Sequence, residues 1–350
     1  MNQPGKKRVL IVDDAVVVRK ALSEAIGADP ALEVAGVAAN GRIGVDRFGS
    51  LKPDLVLLDI EMPEMDGLET VRALRKIDGR VPIVMFSSLT ERGAAITLDA
   101  LALGATDYVT KPSNVDMVGT LQAITRELIP KIRLLCRVET NGARVASKVA
   151  MKTAAAPALR FPVQVIAIGV STGGPDALEH VLPRLPADLK VPVVIAQHMP
   201  PVFTSLLAAR LSAKSILPVR ECVSGEPLMP GCAVLAPGDF HMVVNREGGV
   251  VRVRTHQGEK ENFCRPAVDV LFRSVAQVYG GRCLAVILTG MGQDGLKGCE
   301  MLRAAGARIF VQDEATSVVW GMPGFVAKAG LAEKILPLDQ IGPEIVRATS

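Results

Sequence analysis

Short β-branched runs alternate with amphipathic segments along this chain, and that alternation leaves few folds open. From Arg8 the runs RVLIV, LEVAGVA, DLVLLDI, VPIVMFS and DYVT are separated by AVVVRKALSEAIG, GRIGVDRFGSL, DGLETVRALRKI and TERGAAITLDALALG, and DMVGTLQAITRELIPKIRLL follows the last. Strands with helical segments between them pair in parallel, because each crossover carries the chain back to the same end of the sheet. Five such units predict a doubly wound (βα)5 domain over residues 1–125. Only 3% of residues are aromatic, so the cores must be built from Val, Leu, Ile and Ala, which suits parallel strands covered on both faces.

Between 126 and 160 the pattern fails. RVETNGARVASKVAMKTAAAPALRFP has no sustained apolar face and reads as a linker, with docking of a partner by its basic residues as the other reading. A second alternation fills 161–346, with VQVIAIGV, VPVVIAQH, CAVLAP, CLAVILTG and ARIFVQD as strands. Runs from 218 to 256 lack intervening helices, so hairpins and a mixed, mostly parallel sheet are expected in this second α/β domain. A length of 350 residues is too great for one ordinary core.

The net charge of +4 forms no dense basic stripe, which argues against nucleic-acid binding. The six cysteines, at 136, 222, 232, 264, 283 and 299, show neither C-x-x-C nor metal-ligand spacing and read as reduced thiols of a cytoplasmic protein. No run is long enough for a signal peptide or a membrane span, so direct membrane insertion is not expected.

In a doubly wound sheet, function collects at the carboxyl ends of the strands. Here those ends carry Asp13-Asp14, Asp59, Ser87-Ser88 and Lys111-Pro112. Each aspartate alone reads as a helix cap or turn residue. Gathered on one rim, the carboxylates would repel one another unless a hard cation sat among them, and Asp59 could then attack a phosphoryl group with Lys111 offsetting its charge. VDD, LLDIEMPEMDG, SS and TKP resemble the response-regulator receiver family. The resemblance implies phosphorylation of Asp59 by a histidine kinase. It also implies Mg²⁺ held by Asp14, Asp59 and the backbone carbonyl of Glu61, with Asp13 in the acidic pocket. Ser87 would take a phosphoryl oxygen, and Lys111 and Tyr108 would complete the switch.

In the second domain GVSTG fits G-x-S-x-G, so Ser171 is either a nucleophile on a turn, the cap of a helix, or part of a phosphate-cradling loop. VPVVIAQH closes on His198, and LAVILTGMGQD closes on Asp294. Parallel strands that start together end together, so Ser171, His198 and Asp294 can meet as nucleophile, base and orienting carboxylate. His180, His241 and His256 are the competing imidazoles and read as structural; Asp239, Asp269 and Asp313 are the competing carboxylates. The order Ser, His, Asp differs from that of the α/β-hydrolases, so the fold is another one.

IGVSTGGP, AQHMPPVFT, APGDFHM, RPAVDVLF, ILTGMGQDG and EATSVVWGMP resemble the catalytic domain of the chemotaxis protein-glutamate methylesterases, the CheB family. The resemblance implies hydrolysis of glutamate methyl esters on the cytoplasmic domains of chemoreceptors, deamidation of receptor glutamines, and no cofactor in the esterase site. It implies that Thr172 shapes the site, that amides around Met291 and His198 bind the oxyanion, a contribution of roughly 3 kcal/mol per donor, and that the unphosphorylated receiver restrains the esterase. Arg265 contacts substrate or only pairs with a nearby carboxylate. A transcriptional output module and a noncatalytic scaffold are the competing functions at this point.

Overall fold

A computed structural model of the chain describes residues 5–111, 117–138 and 161–350, and it divides into two compact units. Pro112 and residues 139–160 of the expected linker lie outside the described residues.

The first unit runs β1 (Lys7–Val12), α1 (Val16–Gly27), β2 (Leu32–Ala38), α2 (Gly41–Leu51), β3 (Leu55–Asp59), α3 (Gly67–Ile77), β4 (Ile83–Ser87), α4 (Glu91–Ala102), β5 (Asp107–Thr110) and α5 (Met117–Leu135). Its strands are all parallel, in the order β2-β1-β3-β4-β5. The order reverses between β1 and β3, which opens the rim beyond Val12 and Asp59. Helix starts follow local chemistry: Asn40, Asp66 and Thr90 each accept a backbone N–H in the first turn of α2, α3 and α4, and Asp66 with Glu69 completes a reciprocal cap.

The first unit extends past residue 125. Leu128, Ile129, Ile132 and Cys136 are buried in the same core as Val9, Ile11, Leu57 and Val84, so α5 belongs to the sheet through Leu135. The amphipathic segment DMVGTLQAITRELIPKIRLL already runs to Leu135 in the sequence, so the expected boundary at 125 falls inside it.

The second unit runs β6 (Val165–Val170), α6 (Gly174–Val181), β7 (Val193–Gln197), α7 (Phe203–Lys214), β8 (Val219–Glu221), β9 (Ala233–Leu235), β10 (His241–Glu247), β11 (Val250–His256), α8 (Val268–Tyr279), β12 (Cys283–Ile287), α9 (Leu296–Ala304), β13 (Arg308–Gln312), α10 (Met322–Lys328), β14 (Lys334–Leu336) and α11 (Leu338–Thr349). The helix α11 carries the domain a few residues beyond 346 and buries Ile341 and Ile345.

The seven-stranded sheet, in the order β14-β13-β12-β6-β7-β9-β8, is parallel throughout and not mixed as expected. β8 and β9 are joined by a crossing loop rather than a hairpin. The one hairpin among the described residues, β10–β11, forms a sheet of its own, turned at Gly248 and Gly249 with φ of 56° and 85°. Two consecutive left-handed residues match the right-handed twist of the strands, and glycine adopts them without steric cost. Met242, Val244 and Val253 of the hairpin pack into the core with Leu271, Phe272 and Val275 of α8.

Candidate active site

The centre of the second sheet places β12, β6 and β7 side by side, with Ile287 opposite Gly169 and Val170 opposite Gln197. Their carboxyl ends release Asp294, Ser171 and His198 onto one rim. The order also reverses between β6 and β12, so this rim is the crevice where a parallel sheet opens for a ligand.

Ser171 leaves β6 on a short turn into α6, with its amide donating to Thr289 O at 3.0 Å. The left-handed position of this turn is Gly173, at φ 76°, and not the serine. Glycine therefore absorbs the strain that the α/β-hydrolase elbow places on its nucleophile, which agrees with the different chain order. Gly290 lies against the serine: a Cβ there would come within 2.8 Å of Ser171 Cβ and would also strike Met322 Sδ.

His198 Nε2 donates to Asp294 Oδ2 at 2.7 Å, with the imidazole side chain 11% exposed and the carboxylate 2%. Asp294 also accepts from the Val268 amide at 2.6 Å on Oδ2, and from Asn262 Nδ2, the Asp269 amide and the Gly295 amide on Oδ1. Burial pushes the Asp294 pKa up, but the His198 bond and charge and these amides outweigh it and bring it down to about 2. Burial likewise pushes His198 down, and against it the charge of Cys264, when ionised, and the Asp294 carboxylate raise the imidazole to about 10. A carboxylate can only accept, so Nε2 carries a proton and Nδ1 is the basic nitrogen.

Nδ1 does not meet Ser171. It lies 3.4 Å from Cys264 Sγ, and Ser171 Oγ makes no hydrogen bond among the described residues. The structure thus assembles the imidazole and carboxylate completely and sets the hydroxyl at the adjoining strand end without the bond.

The His198 amide donates to Val170 O at 3.1 Å, continuing the β6–β7 ladder, so it is not available to an oxyanion as expected. The Met291 amide has no backbone acceptor among the described residues and stays open for that role. Thr172 is buried, its carbonyl accepting from Thr289 Oγ1 at 2.9 Å. Arg265 pairs with Asp239 at 2.6 Å and donates to Gly258 O, which is the pairing alternative. His241 is held between Glu259 O and the Ala267 amide, His180 lies exposed on α6, and the Asp269 carboxylate is linked to that of Asp294 through Asn262. Gln197, Asn262 and Cys264 were missed in the sequence, because nothing in their spacing announces a loop or strand end folding back onto His198.

In the first unit, carboxylate oxygens of Asp13, Asp14 and Asp59 lie within 4.8 Å of one another. Lys111 Nζ sits 2.7 Å from Asp59 Oδ1 and 3.4 Å from Asp13 Oδ2. Asp59 Oδ1 also accepts the Ile60 amide, which leaves Oδ2 as the oxygen open to phosphorus. Burial, with the Asp13 charge adding to it and Lys111 opposing, raises the Asp59 carboxyl to about 6. Asp13 serves both readings, since Oδ1 caps the turn at Ala15 while the buried Oδ2 has no hydrogen-bond donor. A buried carboxylate oxygen with no hydrogen-bond donor and only the Lys111 ammonium at 3.4 Å, set among three acids, fits a small divalent cation with oxygen ligands. A cleft of about 450 Å³ beside it is lined by Asp14, Glu61, Asp66 and Arg92.

Ser87 is not aimed at this pocket. The Ser87 hydroxyl accepts from Thr97 Oγ1 at 2.6 Å and leans on Gly93 O of α4. Tyr108 is buried, and burial holds its hydroxyl pKa well above the ordinary value. Glu61 is exposed and pairs with Arg92 at 3.5 Å.

Fold and rim chemistry together define a response regulator whose output unit is a hydrolase. A CheB methylesterase model matches residues 166–345, and a response regulator receiver domain model matches residues 9–121. The chain belongs to the CheB methylesterase family. A protein-glutamate methylesterase/protein-glutamine glutaminase of Trichodesmium erythraeum is 48% identical over 347 residues, covering 98% of this chain and 99% of that protein. One from a Nocardioides species is 50% identical over 348 residues, covering 97% and 94%. The crystal structure of the Thermotoga maritima CheB methylesterase catalytic domain matches with a TM-score of 0.52 at 40% identity, over 53% of this chain and 99% of that one.

Proposed function

We propose that this chain is a phosphorylation-regulated serine esterase of chemotaxis adaptation. It acts in the cytoplasm on methylated chemoreceptor cytoplasmic domains, hydrolysing glutamate methyl esters to release methanol and deamidating receptor glutamines. No helix among the described residues is long and apolar enough to cross a membrane. The observation that carries the reading is the 2.7 Å bond from His198 Nε2 to Asp294 Oδ2 at the strand end beside Ser171.

Ser171 Oγ attacks the ester carbonyl as His198 Nδ1 takes its proton, and the Met291 amide faces the developing oxyanion. Methoxide leaves as methanol with the proton from Nδ1. A water, deprotonated by the same nitrogen, then cleaves the acyl-serine. Asp294 keeps the proton on Nε2 and offsets the imidazolium charge throughout. In the receiver, Asp59 Oδ2 accepts a phosphoryl group from a chemotaxis histidine kinase. Asp14, Asp59 and the Glu61 carbonyl, with Asp13 adjoining, would hold Mg²⁺, which neutralises phosphoryl oxygens when bound. Ser87 would turn from Thr97 to a phosphoryl oxygen, with Lys111 and Tyr108 following the new charge.

Methanol release from methylated receptor membranes, with and without a small phosphodonor, tests both halves. Ser171→Ala should abolish release while Asp59 phosphorylation persists, and release by that variant would place the nucleophile elsewhere.

A further inference from the structure

The basic nitrogen of the candidate triad is engaged by a residue that the esterase reading does not use. Cys264 lies in the loop between β11 and α8, partly buried. Its amide donates to Glu261 O at 2.9 Å while the Glu261 amide donates to Cys264 O at 3.2 Å, closing a tight turn whose intervening residues, Asn262 and Phe263, take φ of 51° and 64°. Such a turn holds the sulfur in a defined place. The same turn reaches the catalytic carboxylate, since Asn262 Nδ2 donates to Asp294 Oδ1 at 2.8 Å. One loop therefore grips both partners of the imidazole: Asn262 holds Asp294, and Cys264 Sγ sits 3.4 Å from His198 Nδ1.

We infer that Cys264 is a positioning residue for the esterase reaction, competing with Ser171 for Nδ1 of His198. The inference rests on the serine-esterase reading above. With Nε2 bound to Asp294, Nδ1 is the single nitrogen able to take the serine proton, and it cannot serve a thiol and a hydroxyl at once. A thiol gives up its proton to imidazole far more readily than an alkyl hydroxyl does. While the thiol occupies Nδ1, that nitrogen is no base toward the serine hydroxyl. The titratable groups facing the ring are Asp294 from the β12–α9 loop and Cys264 from the β11–α8 loop; behind them stand Asp269 of α8 and the Glu261–Arg273 pair, itself closed at 2.6 Å. Turnover requires the ring to leave Cys264, so the thiol sets how much of the enzyme is ready to react.

The test compares kcat and KM against pH for the full chain and for Cys264→Ala, Cys264→Ser and Ser171→Ala. Cys264→Ala should raise kcat near neutral pH by roughly fivefold, the worth of one hydrogen bond, at unchanged KM. It should also move the acid limb of the profile to lower pH, with Cys264→Ser falling between it and the parent. Iodoacetamide labelling of the Cys264 peptide gives a readout independent of turnover. The thiol should label faster at pH 6 to 7 in the parent than in His198→Gln. Equal labelling rates, or a folded Cys264→Ala enzyme no faster than the parent, would overturn the competition. Loss of activity in Ser171→Ala beside an unchanged Cys264→Ala would sink this inference alone, whereas an active Ser171→Ala would sink the esterase reading beneath it.

Discussion

Gln197 Nε2 donates to the carbonyl oxygen of Ser171 at 3.0 Å, and the same amide nitrogen reaches the carbonyl of His198 at 3.2 Å. The last residue of β7, 2% exposed, therefore ties the nucleophile turn to the imidazole turn from beneath the sheet rim. Gln197→Ala should lower kcat about tenfold with KM nearly unchanged, as expected of a group that orients others without touching substrate. Gln197→Glu should be worse, because a carboxylate would face two carbonyl oxygens. Steady-state kinetics on methylated receptor separates these cases, and wild-type kcat in Gln197→Ala would show the tie to be idle.

Asn262 bridges two acids, Asp294 at 2.8 Å and Asp269 at 3.0 Å, and burial together with the Asp294 charge raises the Asp269 carboxyl. Asn262→Gly keeps the left-handed backbone and removes only the amide, so its loss of activity measures the bridge itself. Asn262→Asp adds a third carboxylate and should destabilise the unit by on the order of 2 kcal/mol, seen as a lower melting temperature at pH 7 than for Asn262→Gly.

Stability should depend on pH with a sign set by the imidazole–carboxylate pair. His198 is raised from 6.5 to about 10, so its contribution is fully present below pH 6.5 and is lost as pH rises toward 10. Asp294 is lowered from 3.8 to about 2, so its contribution is present above pH 3.8 and is lost as pH falls toward 2. The melting temperature of the second unit should decline on the alkaline side, and Asp294→Asn should flatten that decline. Activity runs the other way, since only the neutral ring accepts a proton, so kcat/KM should still be climbing above pH 7.

Gly290→Ala brings a methyl group to within 2.8 Å of Ser171 Cβ. The flexible Met322 side chain can yield on its other side, so the serine turn and the thioether share the displacement. Activity should fall more than tenfold while stability changes by only about 1 kcal/mol. Parallel measurement of ester hydrolysis and thermal unfolding checks the separation, and equal losses in both would mean that the core, not the serine, had moved.

The Asp59 carboxyl, raised from 3.8 to about 6, is a cost to the folded receiver when ionised. The cost is absent below pH 3.8 and fully present above pH 6. Asp59→Asn should therefore stabilise the receiver at pH 7 by on the order of 2 kcal/mol and remove activation by a small phosphodonor. Calorimetry of the two proteins at pH 7 and at pH 4 checks the sign, since the difference must shrink in acid.

Periodicity alone made the first sheet and the core strands of the second legible, because strands buried on two faces read as continuous apolar runs and their crossovers as helices, but it left the second sheet mixed where the structure is parallel throughout. It likewise brought Ser171, His198 and Asp294 to one rim, since residues that end adjacent parallel strands have no other place to go. The hairpin outside the main sheet and the engaged amide of His198 depended on packing and hydrogen bonding between distant segments. The same is true of Cys264, which lies 66 residues from His198 in the chain and 3.4 Å from its ring nitrogen. Strand periodicity and end chemistry are local properties that a sequence carries openly. Which partner an imidazole meets is decided by a loop closing in three dimensions, where a shift of one ångström changes the bond.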